Sequence, residues 1–297
     1  MESVPPRGSG WVIVDTPTSD RPTRYRVVVL TSRSSDLSCK RDLMAIVETE
    51  ALILRTYNFG EADKIVVCLT HSAGLIRAVA RGCRKLKSKF GASLEPFTVA
   101  KITYYQKENQ ELVGLSNAEI VKSHFDMSGN AETLTGLAYM GDLVIEFSPP
   151  HEPNERLYRM VKACLDAICE SQPDLQLILR YFEIWLLKLE GYLPDIRRCG
   201  DCHRAFDETE VAFVNTDLVF RCRGCSHGAG NALSRKLQTQ LRATQRLAPF
   251  VFAQESRNLP ESIHREMAEL THRLIGRVLE RRPRLRSNFS APPSLTR

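Results

Sequence analysis

Cys199-Gly200-Asp201-Cys202 and Cys222-Arg223-Gly224-Cys225 form two C-x-x-C pairs with 19 residues between them, and nothing else in the 297-residue chain restricts its fold as much. A C-x-x-C turn aims two sulfurs at one point, and two such turns complete the closed tetrahedral shell that a structural Zn²⁺ takes. The turns must therefore meet in space. The residues between them allow it: 211–214 and 218–220 read as short strands, joined by a turn at Asn215-Thr216-Asp217. Cys199, Cys202, Cys222 and Cys225 are the expected zinc ligands, with His203 and His227 as alternates for one sulfur. Four thiolates around one Zn²⁺ leave a net negative charge, which Arg198, Arg221 and Arg223 are placed to offset.

Other readings of the cysteines explain less. Cys199-Gly200-Asp201-Cys202-His203 has the form of a haem-attachment motif, but that leaves the second pair without a purpose. A redox dithiol needs only one pair, and a zinc deaminase keeps a coordination position open for water. The nine cysteines are an odd number and no secretory pattern opens the chain, so a disulfide framework is not expected. Cys68 and Cys164 fall on apolar faces and read as core residues, whereas Cys39, Cys83 and Cys169 have no informative spacing.

Hydrophobic periodicity divides the rest of the chain. Residues 1–43 hold Pro5, Pro6, Pro17, Pro22, seven serines and one strand-like run at 25–30. They read as a disordered extension, or as residues upstream of a natural start at Met44. Short strand signals then follow at 46–57, 64–70, 75–81, 97–106 and 112–121, with His71-Ser72-Ala73-Gly74 as a hairpin turn. Five strands in so short a stretch predict a small Greek-key barrel. After Ser128 the period becomes helical, with apolar stripes through Leu137 and Val144, Leu157 and Val161, and Ile178 and Phe182. Pro149-Pro150 should end the first helix, a capping box at Ser171-Gln172-Pro173-Asp174 open the third, and Gly191 with Pro194 close it. Two further helices are expected at 234–247 and 260–282. The expected fold is thus α+β. Its parts are a strand-rich domain at 44–125, helices at 126–196, a zinc ribbon at 197–230 and helices with a basic tail at 231–297. The apolar run at 174–193 is broken by Arg180, Glu183, Lys188 and Glu190, which excludes a spanning helix of roughly 18 uncharged residues.

Charge locates the candidate partner. The net +6 conceals +2 over residues 1–43, +5 over 44–107, −11 over 108–220 and +10 over 221–297. No acidic residue stands between Asp63 and Glu95, while Arg77, Arg81, Arg84, Lys85, Lys87 and Lys89 are basic. A concentrated basic run beside a barrel strand suits the backbone of a nucleic acid, and Tyr57, Phe59, Phe90, Phe97, Tyr104 and Tyr105 are aromatics available to stack on bases. A second basic cluster, Arg273, Arg277, Arg281, Arg282, Arg284 and Arg286, places Arg273, Arg277 and Arg281 on one face of the last helix. Neither a Walker-A loop nor an H-E-x-x-H motif occurs.

The order of these features resembles the RecO family of bacterial DNA repair proteins. The resemblance runs through Gly60-Glu61-Ala62-Asp63-Lys64, Gly74-Leu75 to Ala80-Arg81-Gly82 with the basic run, and Leu94-Glu95-Pro96-Phe97. It continues through Gly191-Tyr192-Leu193-Pro194 into the two C-x-x-C pairs, and closes at Leu285-Arg286-Ser287. It covers roughly residues 44–289 and leaves 1–43 outside. What it implies is a five-stranded OB-fold domain, a helical body and an inserted zinc ribbon. It also implies a cytoplasmic, nucleoid-associated protein without catalytic residues, which binds single- and double-stranded DNA and anneals complementary strands. With RecR as partner, the family helps load RecA onto DNA coated by single-stranded DNA-binding protein. The DNA-binding residues carried over are Arg81, Arg84, Lys85, Lys87 and Lys89, with Arg77 beside them. The competing function is a zinc-stabilised protein-interaction scaffold without DNA annealing.

Overall fold

The computed structural model describes residues 10–14, 24–31, 43–107, 111–124, 130–170, 174–207 and 210–281. The chain divides into two compact units, Met1–Asp126 with Ser148–Tyr158, and Met127–Phe147 with Arg159–Arg297.

The first unit is built on a sheet of seven strands: β1 (Gly10–Val14), β2 (Arg24–Thr31), β3 (Leu43–Phe59), β4 (Asp63–Thr70), β5 (Gly74–Ala80), β6 (Val99–Lys107) and β7 (Leu112–Lys122). They are ordered β1-β2-β3-β4-β5-β7-β6, and β3 also pairs with β6. The long β3 makes this possible: Met44–Leu52 pairs with β6, and Ala51–Phe59 pairs with β4 across a register shift between Ile53 and Arg55. The five strands expected from alternation are all present, and their pairings close into a circuit. One link is parallel, where Arg77, Ala78 and Val79 of β5 meet Leu112, Val113 and Gly114 of β7. Val66, Cys68, Ile76, Ala78, Ile102, Tyr104 and Val113 form the core on one face.

The region upstream of Met44, expected either to be disordered or to precede a natural start, holds two of these strands. β2 covers the strand-like run at 25–30 and pairs antiparallel with both β1 and the start of β3. Its Val27-Val28-Val29 run is the β-branched composition that favours a strand. The remainder of 1–43, Cys39 included, lies outside the described residues.

Ser148–Tyr158, expected within the helical part, instead lies on the sheet. His151 N–H donates to Leu75 O (2.9 Å), and Tyr158 Oη donates to Glu50 Oε1 (2.7 Å) while its ring meets His71 edge-on. Gly74 makes room for this strap: at φ +67° it turns the β4–β5 hairpin, and a Cβ there would lie 1.9 Å from Glu152 O.

The second unit is helical: α1 (Ala131–Phe147), α2 (Glu155–Glu170, which begins in the strap), α3 (Leu175–Leu189), α4 (Arg223–Ser226), α5 (Arg235–Thr244), α6 (Pro249–Ser256) and α7 (Glu261–Arg281). α3 is central, with Ile178, Phe182, Ile184, Leu186 and Leu187 fully buried. Its two buried charges are paired internally: Glu183 takes Arg180 Nη2 (2.8 Å) and Tyr139 Oη (2.7 Å), and Arg180 Nη1 lies 3.0 Å from His272 Nε2. The expected capping box at Ser171-Gln172-Pro173-Asp174 falls largely outside the described residues. Asp174 itself makes no capping bond because its carboxylate accepts from Arg257 (2.5 and 2.9 Å). Gly191, at φ +76°, closes the helix as expected, with Tyr192 and Leu193 N–H groups both donating to Leu187 O. The unexpected α6 starts on Pro249, whose fixed φ suits a first helical position. Among the described residues no helix is long and apolar enough to cross a membrane.

Candidate nucleic-acid interface and metal centre

The four cysteines of the two C-x-x-C pairs come together. Strands β8 (Phe213–Val214) and β9 (Phe220–Arg221) pair across the Asn215–Leu218 turn, and β10 (Asn231–Ala232) adds to β8. This small sheet carries Cys222 back to Cys199. Gly200 N–H donates to Phe220 O (2.8 Å), and Cys222 N–H points at Cys199 Sγ (3.4 Å). A side chain at position 200 would strike Val219, since a Cβ would stand 2.2 Å from its Cγ1. All four sulfurs lie within 4.8 Å of one another, and Cys202 Sγ and Cys222 Sγ are 3.9 Å apart. Tetrahedral Zn²⁺ with Zn–S bonds of about 2.3 Å needs sulfurs about 3.8 Å apart, so the donor set and its spacing fit that ion.

The electrostatics agree with a shared cation. Burial opposes ionisation of Cys199, but the N–H groups of Cys222, Cys202 and Asp201 outweigh it and hold the thiol at about 6. The Cys225 N–H lowers Cys222 in the same way. Cys225 is pushed up to about 12 by its hydrogen bonds with Cys222 and Cys202. Sulfurs this close lose their last protons only to a cation placed among them.

Three expectations about this region change. His203 and His227 are not in the group; each stands in the left-handed region just after its knuckle, at φ 57° and 49°. Arg221 does not face the sulfurs, because its guanidinium bridges Asp201 (2.7 Å) and Asp217 (2.7 Å). Arg204, which the sequence did not single out, donates from Nη2 to Glu210 Oε1 (2.5 Å), and its proximity to Cys222 together with the charge of Glu210 raises its pKa. Two short motifs in the neighbourhood have their polar side chains engaged in local hydrogen bonds. Gly224-Cys225-Ser226-His227-Gly228 has the G-x-S-x-G form of a hydrolase elbow, but Ser226 is buried and donates to Arg223 O. His264-Arg265-Glu266 has the H-x-E form of a deaminase, but Glu266 caps α5 through Ser234, and His264 sits against Ser256 O.

The basic run is a surface turn fastened to the β3–β4 hairpin. Gly82, at φ +68°, donates its N–H to Asp63 Oδ1 (2.7 Å), and Arg84 N–H donates to Ala62 O (3.0 Å). These bonds fix the backbone while the charged ends stay in water: Arg77, Arg81, Arg84, Lys85, Lys87 and Lys89 are all exposed. Leu86 among them is fully exposed as well. The turn ends where Phe90 enters the core. Of the six aromatics available for stacking, Phe90, Phe97 and Tyr104 are buried, whereas Tyr57, Phe59 and Tyr105 are exposed. Arg273 of α7 reaches the cysteine module, its Nη2 donating to Asn215 O (3.4 Å).

Two family profiles cover nearly all of the chain after residue 43: recombination protein O N terminal over residues 44–124, and recombination protein O C terminal over 129–287. The chain belongs to the recombination protein O family. Three relatives, each named DNA repair protein RecO, show the extent of the similarity. That of Koribacter versatilis is 30% identical over 161 residues, 54% of this chain and 65% of the relative. That of Anaeromyxobacter sp. (strain K) is 30% identical over 187 residues, 63% of this chain and 73% of the relative. That of Thermodesulfovibrio yellowstonii is 32% identical over 189 residues, 62% and 73% of the two chains. In RecO terms the basic turn belongs to the N-terminal profile and the four cysteines to the C-terminal one.

Proposed function

We propose that this chain is a DNA repair mediator that binds single- and double-stranded DNA, anneals complementary strands and, with RecR, helps load RecA, acting in the cytoplasm on nucleoid DNA. The observation that carries the reading is the set of six exposed cations gathered on one turn and strand end of a RecO-type N-terminal unit. The names of the relatives support the repair role. The closed circuit of five strand pairings is read as an OB-type barrel, with the basic turn as its backbone-tracking edge.

Annealing asks for no covalent chemistry. Arg81, Arg84, Lys85, Lys87 and Lys89 screen phosphate repulsion between two strands and release their counterions, while base pairing supplies the specificity. Cys199, Cys202, Cys222 and Cys225 would hold Zn²⁺ as a closed ribbon. The ion supplies a cross-link between the two knuckles and no reaction.

The test is the rate at which complementary oligonucleotides anneal, bare and coated with single-stranded DNA-binding protein. Acceleration in both states is the expected result, and no acceleration in either would leave only a scaffold.

A further inference from the structure

Tyr57 and Phe59 stand two residues apart near the end of β3 and are 47% and 48% exposed. Strand alternation puts them on one face, and the register says which. Tyr57 lies opposite Ile65 and Phe59 opposite Asp63, whereas Thr56 lies opposite the core residue Val66. The aromatic face is therefore the outer one. Further along that face Leu52, Leu69 and Leu75 are buried, and Leu75 meets the strap at Pro150, so the face is covered at one end and open at the other.

Cations flank the open end. Arg55, on the same face, donates from Nη1 to Tyr57 Oη (3.4 Å), with its guanidinium carbon 6.0 Å from the ring centroid. On the other side Phe59 runs directly into the Gly60–Ala62 turn, where Arg84 donates from Nη1 to Gly60 O (3.4 Å) and from its backbone to Ala62 O. The rings and the basic turn are thus carried on one hydrogen-bonded corner. A single exposed aromatic is ordinary on a protein surface. Two on one strand face, between cations that suit phosphate, match what an unpaired strand requires, namely ring faces for its bases beside charges for its backbone.

We infer that Tyr57 and Phe59 form a stacking platform for unpaired nucleobases, which makes the interface prefer single strands to duplex. This rests on the reading of the basic turn as a DNA site and adds the source of its strand preference. Phosphate contacts attract both forms of DNA. Only a strand with unstacked bases can use the rings, each stacked base contributing about 5- to 150-fold in affinity.

The experiment compares full-length protein with a Tyr57→Ala/Phe59→Ala variant, titrated against oligo-dT and against a hairpin duplex of equal phosphate count. Oligo-dT binding should weaken about tenfold or more, with hairpin binding and the salt slope unchanged. A second variant, Tyr57→Trp, should keep its affinity and show tryptophan quenching by oligo-dT beyond that of the parent. Equal losses for both DNAs, no loss, or unquenched tryptophan would overturn the platform. Loss of RecR binding with DNA binding intact would overturn it too, by making the patch a protein-docking surface. An alanine variant of the basic turn that keeps its salt slope, beside a platform variant that loses oligo-dT, would instead refute the basic turn and leave the rings standing.

Discussion

Glu183 has no exposure to solvent, yet its carboxylate is held by Arg180 and Tyr139. Removing one partner of such a pair strands the other charge in the core. Arg180→Leu should therefore lower stability by about 3–5 kcal/mol, and the double replacement Arg180→Leu/Glu183→Leu should recover a large part of that in a urea melt. In the sequence these two residues were only interruptions of an apolar helix. Their i,i+3 spacing was legible, but Tyr139 and His272 come from other helices and local periodicity carries no trace of them. The cysteines were the opposite case, because C-x-x-C geometry is local and the spacing alone named the four sulfurs that come together. Cys199→Ser should lower both bound zinc and the thermal midpoint while leaving the salt slope of DNA binding unchanged. A zinc-free variant as stable as the parent would contradict a structural role.

At the scale of elements, the five strands were legible from alternation because each has one face in the core, as Val66, Cys68, Ile76 and Ala78 show. The strap was not. Pro149-Pro150 signals the end of α1 but says nothing of where the chain goes next, and its place depends on Gly74 leaving space for Glu152 O. Gly74→Ala should destabilise the protein by roughly 1–3 kcal/mol from the positive φ alone, and by more through the clash, as read in thermal melts. Gly60→Ala is a fitting comparison. It has a similar φ of +61° with open space around it, so it should carry the backbone cost without the clash. The basic turn was visible as a charge run, but its anchoring by Asp63, Ala62 and Gly60 was not, because those bonds cross between hairpins. Similarly, sequence offered six aromatics on equal terms, and only burial in the fold separates Tyr57, Phe59 and Tyr105 from the buried Phe90, Phe97 and Tyr104.

For the whole molecule, the net charge of +6 describes no surface that exists. Cations collect on the turn after β5, while charges in the acidic stretch are partly spent inside the helical unit, Glu183 on Arg180 and Asp174 on Arg257. Membership in the recombination protein O family comes from matches that span both units, which no single motif could supply. The claim that joins these levels is that the basic turn holds single-stranded DNA through its phosphates. It is tested most directly by titrating oligo-dT over a range of salt with the parent and with a variant carrying alanine at Arg81, Arg84, Lys85, Lys87 and Lys89. If those five side chains neutralise five phosphates, the log–log salt slope should become shallower by about 3.5, with folding and zinc content unchanged. A folded variant with the affinity and slope of the parent would contradict the assignment.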